Sequence, residues 1–305
     1  MNKEPLVISS LDESPEVLRA RFQEYGYLHL KHVIEKKRCG SLMQDIIGTL
    51  AETVAFDEIK QLPVLKGQPF SETHPIFDAA YPNIQALPRF QNIFHEEPIN
   101  SIMKLITQTT PFIYPMKMAR LSTPKKLGYE TPPHQDAHSH QAGETMAGIW
   151  VALHNIEATM GRLMVLPYSH KRGVRPVHEA LGVGGVTCEI FDDETTWHVS
   201  DVEQGDVIIF HSCCVHKAEA NTSKDIVRMS IDTRFCDYGA PVYTSNLAPH
   251  HGWRIEALSW EYIYKDWSED EPNQYYWRDY PYFHGPSEDE WQKLAQSINN
   301  DVNTG

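Results

Sequence analysis

Residues 205–216 read GDVIIFHSCCVH. A glycine able to turn the chain leads into Val207, Ile208, Ile209 and Phe210, and the run ends on a histidine. A short apolar run of β-branched and aromatic residues bounded by turn signals reads as a buried strand. Working outward, the same texture recurs. FIYPMKMARL (112–121), AGIWVALHNI (147–156), GRLMVLP (161–167), GVTCEIF (185–191), TWHVSDV (196–202) and IVRMSIDTRF (226–235) are all short and β-rich. Gly161, Gly173, Gly205 and the stretch 221–223 punctuate them. Many short strands with regular turn signals predict a sandwich or barrel over about 111–240.

The flanks read differently. Residues 14–25 predict a helix capped by Ser14, with Pro15 in its first turn, an apolar stripe of Val17, Leu18 and Phe22, and Gly26 as its stop. Tyr27 to Leu30 predicts a short strand, and 35–52 a second helix with Leu42, Ile46, Ile47 and Leu50 on one face. Five prolines (Pro63, Pro69, Pro75, Pro82, Pro88) spread through 53–95 predict loop and short helix there, and 97–108 predicts another helix. After residue 250 the chain is aromatic. Trp253, Trp260 and Trp267 are seven apart, and Tyr262, Tyr264, Tyr275, Tyr276, Trp277, Tyr280 and Tyr282 follow. Packing against the barrel or a second subunit is the ordinary use of such residues; a cage for a cationic substrate is the sharper one.

Composition bounds the function. The net charge of −14 over 305 residues argues against nucleic acid and against an anionic membrane surface. No run is apolar enough to span a bilayer, and residues 1–16 lack the pattern of a signal peptide. Five cysteines, with no zinc spacing, fit a reducing compartment, so a cytoplasmic location is expected. A small-molecule substrate is the expected partner, with no nucleic acid, and a homodimer is the candidate assembly.

The chemical signal lies in TPPHQDAHSH (131–140). On an extended chain His134 and Asp136 share a face, so an imidazole and a carboxylate converge. His216 can bring a second imidazole from the loop that follows the strand in GDVIIFH. Two histidines and one carboxylate leave positions open on an octahedral ion, the arrangement of non-haem iron(II) oxygenases. HxD alone is weak in a chain with 16 histidines. Arg228 and Ser230 add weight: two apart on a strand, they offer a guanidinium fork and a hydroxyl to a carboxylate. Trp150 lies on a neighbouring run, placed to wall the site.

Together these stretches resemble the phytanoyl-CoA dioxygenase family. FQEYGYLHLKHVI (22–34) is similar to its opening helix and strand. HQD, IWVALHNIEATMGRLMVLPYSH (149–170), GDVIIFHSCCVHKAEANTS (205–223) and RMSIDTRF (228–235) follow in order. The resemblance implies a mainly β protein with flanking helices (α+β) and a double-stranded β-helix, or jelly-roll (cupin-like), core. It implies one oxygenase domain over 1–305: a helical part to about 110, the core to about 240, and an aromatic-rich extension beyond. It implies iron(II), 2-oxoglutarate and O2 as cofactor and cosubstrates. His134, Asp136 and His216 would be the catalytic metal ligands. Arg228 and Ser230 would hold 2-oxoglutarate, and Trp150 and Met116 would contact it. The activity implied is oxidation of an unactivated C–H bond of a small metabolite: hydroxylation, or desaturation or cyclisation in natural-product biosynthesis, with release of succinate and CO2.

Departures from the family pattern weaken the secondary contacts. Ser122 stands where a Lys is common, and Met160 and Arg162 where an Asn and a small residue are common. Substrate candidates are Arg120, Gln135 and His138. A solvated surface is the ordinary home of Lys117, Arg120 and Arg162, with an anionic substrate the sharper use, and a pocket mouth or solvent is that of His138 and His140. His211 is an alternative ligand or a core histidine, and Arg234 an alternative anchor or a salt-bridge partner. A metal-dependent hydrolase, of a type that expects an α/β sandwich, or a non-redox cupin-like metal binder, which would not require Arg228 and Ser230, is the competing reading. The 60–90 stretch is a candidate lid, and the aromatic C-terminal segment a candidate cover for the mouth.

Overall fold

The computed structural model describes residues 1–72, 74–107, 109–124, 129–143, 145–252, 258–281 and 288–304. The N-terminal part runs β1 (Asn2–Glu4), β2 (Ile8–Ser9), α1 (Pro15–Tyr25), β3 (Tyr27–Leu30), α2 (Lys36–Thr49), β4 (Val54–Asp57), β5 (Leu62–Leu65), α3 (Pro75–Gln85), α4 (Pro88–Asn92) and α5 (Ile99–Thr107). The core follows with β6 (Pro111–Ser122), α6 (Asp136–His140), β7 (Ala147–Ala152), β8 (Leu163–Val165), β9 (Val177–Glu179), β10 (Val186–Cys188), β11 (Thr196–His198), β12 (Val207–His211), β13 (His216–Ala218) and β14 (Arg228–Asp237). Two helices close the chain, α7 (Trp260–Tyr264) and α8 (Glu288–Thr304).

Two sheets make the double-stranded β-helix. Among the described residues the larger has the order β2-β3-β12-β7-β14-β6 and the smaller β1-β11-β8-β13. Residues alternate across β14. Met229, Ile231 and Phe235 join Leu28, Leu30, Ile209 and the residues of α1–α5 in the largest apolar cluster, on the outer face. Arg228, Ser230, Asp232 and Arg234 therefore point inward. Trp150, Ile208, Phe210, Val165 and Cys214 fill the space between the sheets.

Local chemistry explains the helices. In α1 the Ser14 hydroxyl accepts from the Val17 N–H, Pro15 opens the helix, and Gly26 closes it at φ 78°. Leu18 and Phe22 are buried, but Val17 is exposed, so the expected stripe is narrower by one residue. Residues 53–95 hold more regular structure than their prolines suggest. Pro75 and Pro88 sit in the first turns of α3 and α4, where a missing N–H costs nothing. Pro63 pairs within the β4–β5 hairpin. Pro115 is tolerated in β6 because that strand is a sheet edge and shifts register there, and the Thr233 hydroxyl donates to the Tyr114 and Met116 carbonyls flanking it.

The aromatic segment packs as core. Tyr280 stacks on Phe112 at 3.7 Å between ring centres, and Trp260, Tyr264, Tyr275 and Trp277 cluster beside it over Tyr114 and Cys236. Trp253 and Tyr282 lie outside the described residues. In α8, Leu294 and Ile298 pack on Ala137 and Cys213. No helix among the described residues is long and apolar enough to cross a membrane.

Candidate metal centre

His134 and His216 exchange both backbone hydrogen bonds, at 3.0 Å each, in an isolated antiparallel bridge. The bridge brings their rings to 4.2 Å. Gln135 is extended, and the chain then turns into α6 at Asp136. Asp136 thus opens a helix instead of lying on a strand, and its carboxylate still meets both rings. One ligand atom from each of His134, Asp136 and His216 lies within 4.8 Å of the others.

The histidines are set for metal binding by what their other nitrogens do. Nδ1 of His134 is 2.9 Å from the Pro132 carbonyl, and Nδ1 of His216 is 3.1 Å from that of Cys214. A carbonyl only accepts, so each Nδ1 carries the proton and each Nε2 is left as a bare donor. Burial keeps both rings neutral: it lowers the His134 pKa and pushes that of His216 down to about 3. Burial would raise the Asp136 carboxyl, but Arg234, with help from His216 and His140, holds it well below the usual carboxylate range. Two neutral imidazoles and one carboxylate, their second atoms anchored, match the donor set of a non-haem iron(II) centre.

The two histidines of the triad open on a cavity lined also by Phe70, Glu72, Arg120, Trp150, Phe210 and Arg228. Arg228 is buried; its Nη1 donates to Ser230 Oγ at 2.7 Å, and its Nε has no hydrogen-bond partner among the described residues. Burial lowers its pKa only to about 10, so it stays charged at neutral pH. A buried guanidinium with an unused donor, in the same cavity as His134 and His216, is suited to a carboxylate ligand.

The other candidates fall in several places. Trp150 and Arg120 line the cavity; Met116 and Ser230 are not among its lining residues. Gln135 is buried and structural: its amide donates to the Gly173 and Cys213 carbonyls and accepts from the Arg175 N–H. His138 faces Trp291 of α8, away from the cavity. His140, expected at the mouth or in solvent, is buried, hydrogen-bonded through Nδ1 to Asn246, with Nε2 4.0 Å from Asp136 Oδ1. His211 lies apart from the triad beside His170 and Phe22. Lys117, expected on a solvated surface, is fully buried, its amine 3.4 Å from Tyr276 Oη. Arg162 pairs with Glu219 and Asp201. The described residues of the aromatic segment do not line the cavity, whereas residues 70–72 of the candidate lid do.

Arg234 does not take the anchor's place. Its Nε and Nη2 donate to the two oxygens of Asp136 at 2.9 and 2.7 Å, and its Nη1 donates to Asp232. Asp232 also accepts from Arg120 at 2.9 Å, and Arg120 lies 3.7 Å from Glu72. The alternation Arg228, Ser230, Asp232, Arg234 on one strand face carried this signal in the sequence; its pairing with Asp136 did not show there.

The phytanoyl-CoA dioxygenase (PhyH) profile matches residues 22–230. The chain belongs to the phytanoyl-CoA dioxygenase family. It is therefore an oxidoreductase of the iron(II)- and 2-oxoglutarate-dependent class. It is 26% identical over 243 residues to the peroxisomal phytanoyl-CoA dioxygenase of Bos taurus, covering 76% of this chain and 65% of that protein. It is also 26% identical over 231 residues to the 1-deoxypentalenic acid 11-beta-hydroxylase of Streptomyces exfoliatus, covering 72% of this chain and 80% of that one. The fold is that of the non-heme alpha ketoglutarate dependent carbocyclase SnoK from nogalamycin biosynthesis: TM-score 0.53, 19% identity, 81% of this chain and 95% of that one. This architecture also differs from the α/β sandwich that the hydrolase reading requires.

Proposed function

We propose that His134, Asp136 and His216 hold iron(II), that Arg228 binds the distal carboxylate of 2-oxoglutarate, and that the enzyme oxidises an unactivated C–H bond of a small metabolite. The observation that carries this reading is a three-donor cluster whose two histidines line the same cavity as a buried guanidinium with a free donor. When bound, iron(II) with 2-oxoglutarate and O2 supplies a two-electron oxidation, with release of succinate and CO2 from the cosubstrate. The chain's residues do the rest. His134 and His216 offer neutral Nε2 donors fixed by the Pro132 and Cys214 carbonyls. Arg228 orients the cosubstrate by a charge-assisted hydrogen bond. Trp150, Phe210 and Leu163 give the cavity an apolar wall that excludes water from the reacting atoms. Arg120 and Glu72 face the cavity beyond the triad and are the groups placed to meet a polar substrate.

The substrate class favoured is a natural-product intermediate, by likeness to the hydroxylase and carbocyclase named above. The outcome is hydroxylation, desaturation or cyclisation. The buried free cysteines accord with work in the cytoplasm. The test is to incubate the iron-loaded protein with 2-oxoglutarate, O2 and a metabolite set. Succinate release coupled to a product heavier by one oxygen or lighter by two hydrogens supports the reading. Full turnover by His216→Ala would overturn it.

A further inference from the structure

Resting on the ligand set proposed above, we infer that Arg234 is a positioning residue that limits Asp136 to a single metal-donor oxygen. The argument is stereochemical. Each carboxylate oxygen has two lone pairs, one directed toward the other oxygen's side and one directed away. A chelating metal ion uses the two that converge. A guanidinium meeting both oxygens edge-on uses the same two. Nε of Arg234 to Oδ2 and Nη2 to Oδ1, at 2.9 and 2.7 Å, is that edge-on fork. Chelation and the fork are mutually exclusive, so a metal ion shared with His134 and His216 is left with an outward lone pair of one oxygen. Oδ1 is the oxygen toward His134, 4.0 Å from its Nε2.

Three features keep the fork in place. Its third donor, Nη1, is held by Asp232, and Asp232 is held in turn by Arg120. Both Arg234 and Asp136 are almost wholly buried, so water cannot compete for either. Gly148 lies opposite Arg234 in the register of β14 and β7, and the absence of a side chain there leaves the path across to Asp136 clear. The consequence is a count of positions. With iron bound, two imidazoles and one oxygen would take three of six positions, and three would stay open for 2-oxoglutarate and O2. A chelating Asp136 would take the third.

The experiment uses manganese(II), which matches the octahedral oxygen- and nitrogen-rich site without turnover, on the full chain and on Arg234→Gln. Crystal structures of the manganese-loaded proteins are expected to show one Asp136 oxygen on the metal in the wild type and two in the variant. Calorimetry is expected to show manganese bound by the variant at least as tightly, with a loss of 2-oxoglutarate affinity. A chelating Asp136 in the wild type, or a single donor oxygen and unchanged 2-oxoglutarate affinity in the variant, overturns the inference. A parallel loss of stability and manganese affinity with no change of coordination would make Arg234 structural only and also overturns it. If the variant does not fold, the wild-type structure decides alone. The ligand assignment fails separately, if His216→Ala binds manganese as well as the wild type.

Discussion

Gly148 and Phe210 sit side by side on β7 and β12, paired in register, and a Cβ on Gly148 would lie 2.3 Å from Cε2 of the Phe210 ring. The same Cβ would lie 2.9 Å from Oδ2 of Asp136. The row Phe210, Gly148, Arg234 runs across three inward-facing strand positions, and only the middle one is empty. The gap admits the Phe210 ring, which packs against His216 at 4.1 Å, and the ion pair beneath it.

Gly148→Ala is therefore expected to cost about 1–3 kcal/mol, the usual range for one methyl forced into a packed interior. The neighbours it strikes are a proposed ligand and the ring beside another, so metal affinity should fall with stability. Denaturant unfolding and metal calorimetry on the same sample check this. Unchanged values for both would mean that Phe210 has room to move.

Metal binding should stabilise the protein through the triad. At a free metal concentration a hundred times the dissociation constant, linkage gives about 2.7 kcal/mol. His216→Ala and Asp136→Ala should abolish most of that gain and abolish turnover, because each removes one of three donors. Thermal melts with and without manganese(II) measure it; an equal metal-induced shift in the variants would remove these residues from the site.

Much of this site is legible in the sequence, and what is not has a physical cause. His134, Asp136 and His216 stand out because an HxD pair and a late histidine occupy chemically matched places in a β-rich stretch. The face-sharing argument brings His134 and Asp136 together, as the structure does, but by a different local geometry, since Asp136 opens α6. Arg234 could not be resolved between anchor and salt-bridge partner because the choice depends on which strand lies across from it. That neighbour is β7, whose Gly148 gives no polar signal of its own. His138 turns away for a related reason: once the chain becomes helical at Asp136, its side chain leaves the direction that an extended strand would give it, whereas Gln135 is itself extended and lies on the face opposite His134. The prolines of 53–95 looked like breakers because proline in a first helical turn and proline inside a run read alike without the caps.

Arg228→Ala is expected to act on the cosubstrate and leave metal affinity in place. Loss of a charge-assisted hydrogen bond costs about 1.5–3 kcal/mol, or about ten- to a hundredfold in the KM for 2-oxoglutarate. Steady-state kinetics at saturating iron give the value. A KM that does not move would place the carboxylate elsewhere in the cavity, with Arg120 the next cation on its wall.

Lys117 predicts a pH dependence of stability unrelated to the metal. It is fully buried against Tyr276, and burial pulls its pKa from the ordinary lysine value down to about 7. Between that value and the unfolded pKa of about 10.4, the unfolded chain binds the proton and the folded chain does not. Stability from this group therefore rises with pH across that window, by up to about 1.4 kcal/mol per pH unit, and below it the folded state bears the full cost of burying a charge. Lys117→Met keeps most of the volume and removes the titration, so it should stabilise the protein at pH 7 and flatten the rise toward pH 9.5. Denaturant unfolding at the two pH values compares the slopes. A parallel pH response in the wild type and the variant would mean that Lys117 keeps its proton inside the fold, with Tyr276 as its partner.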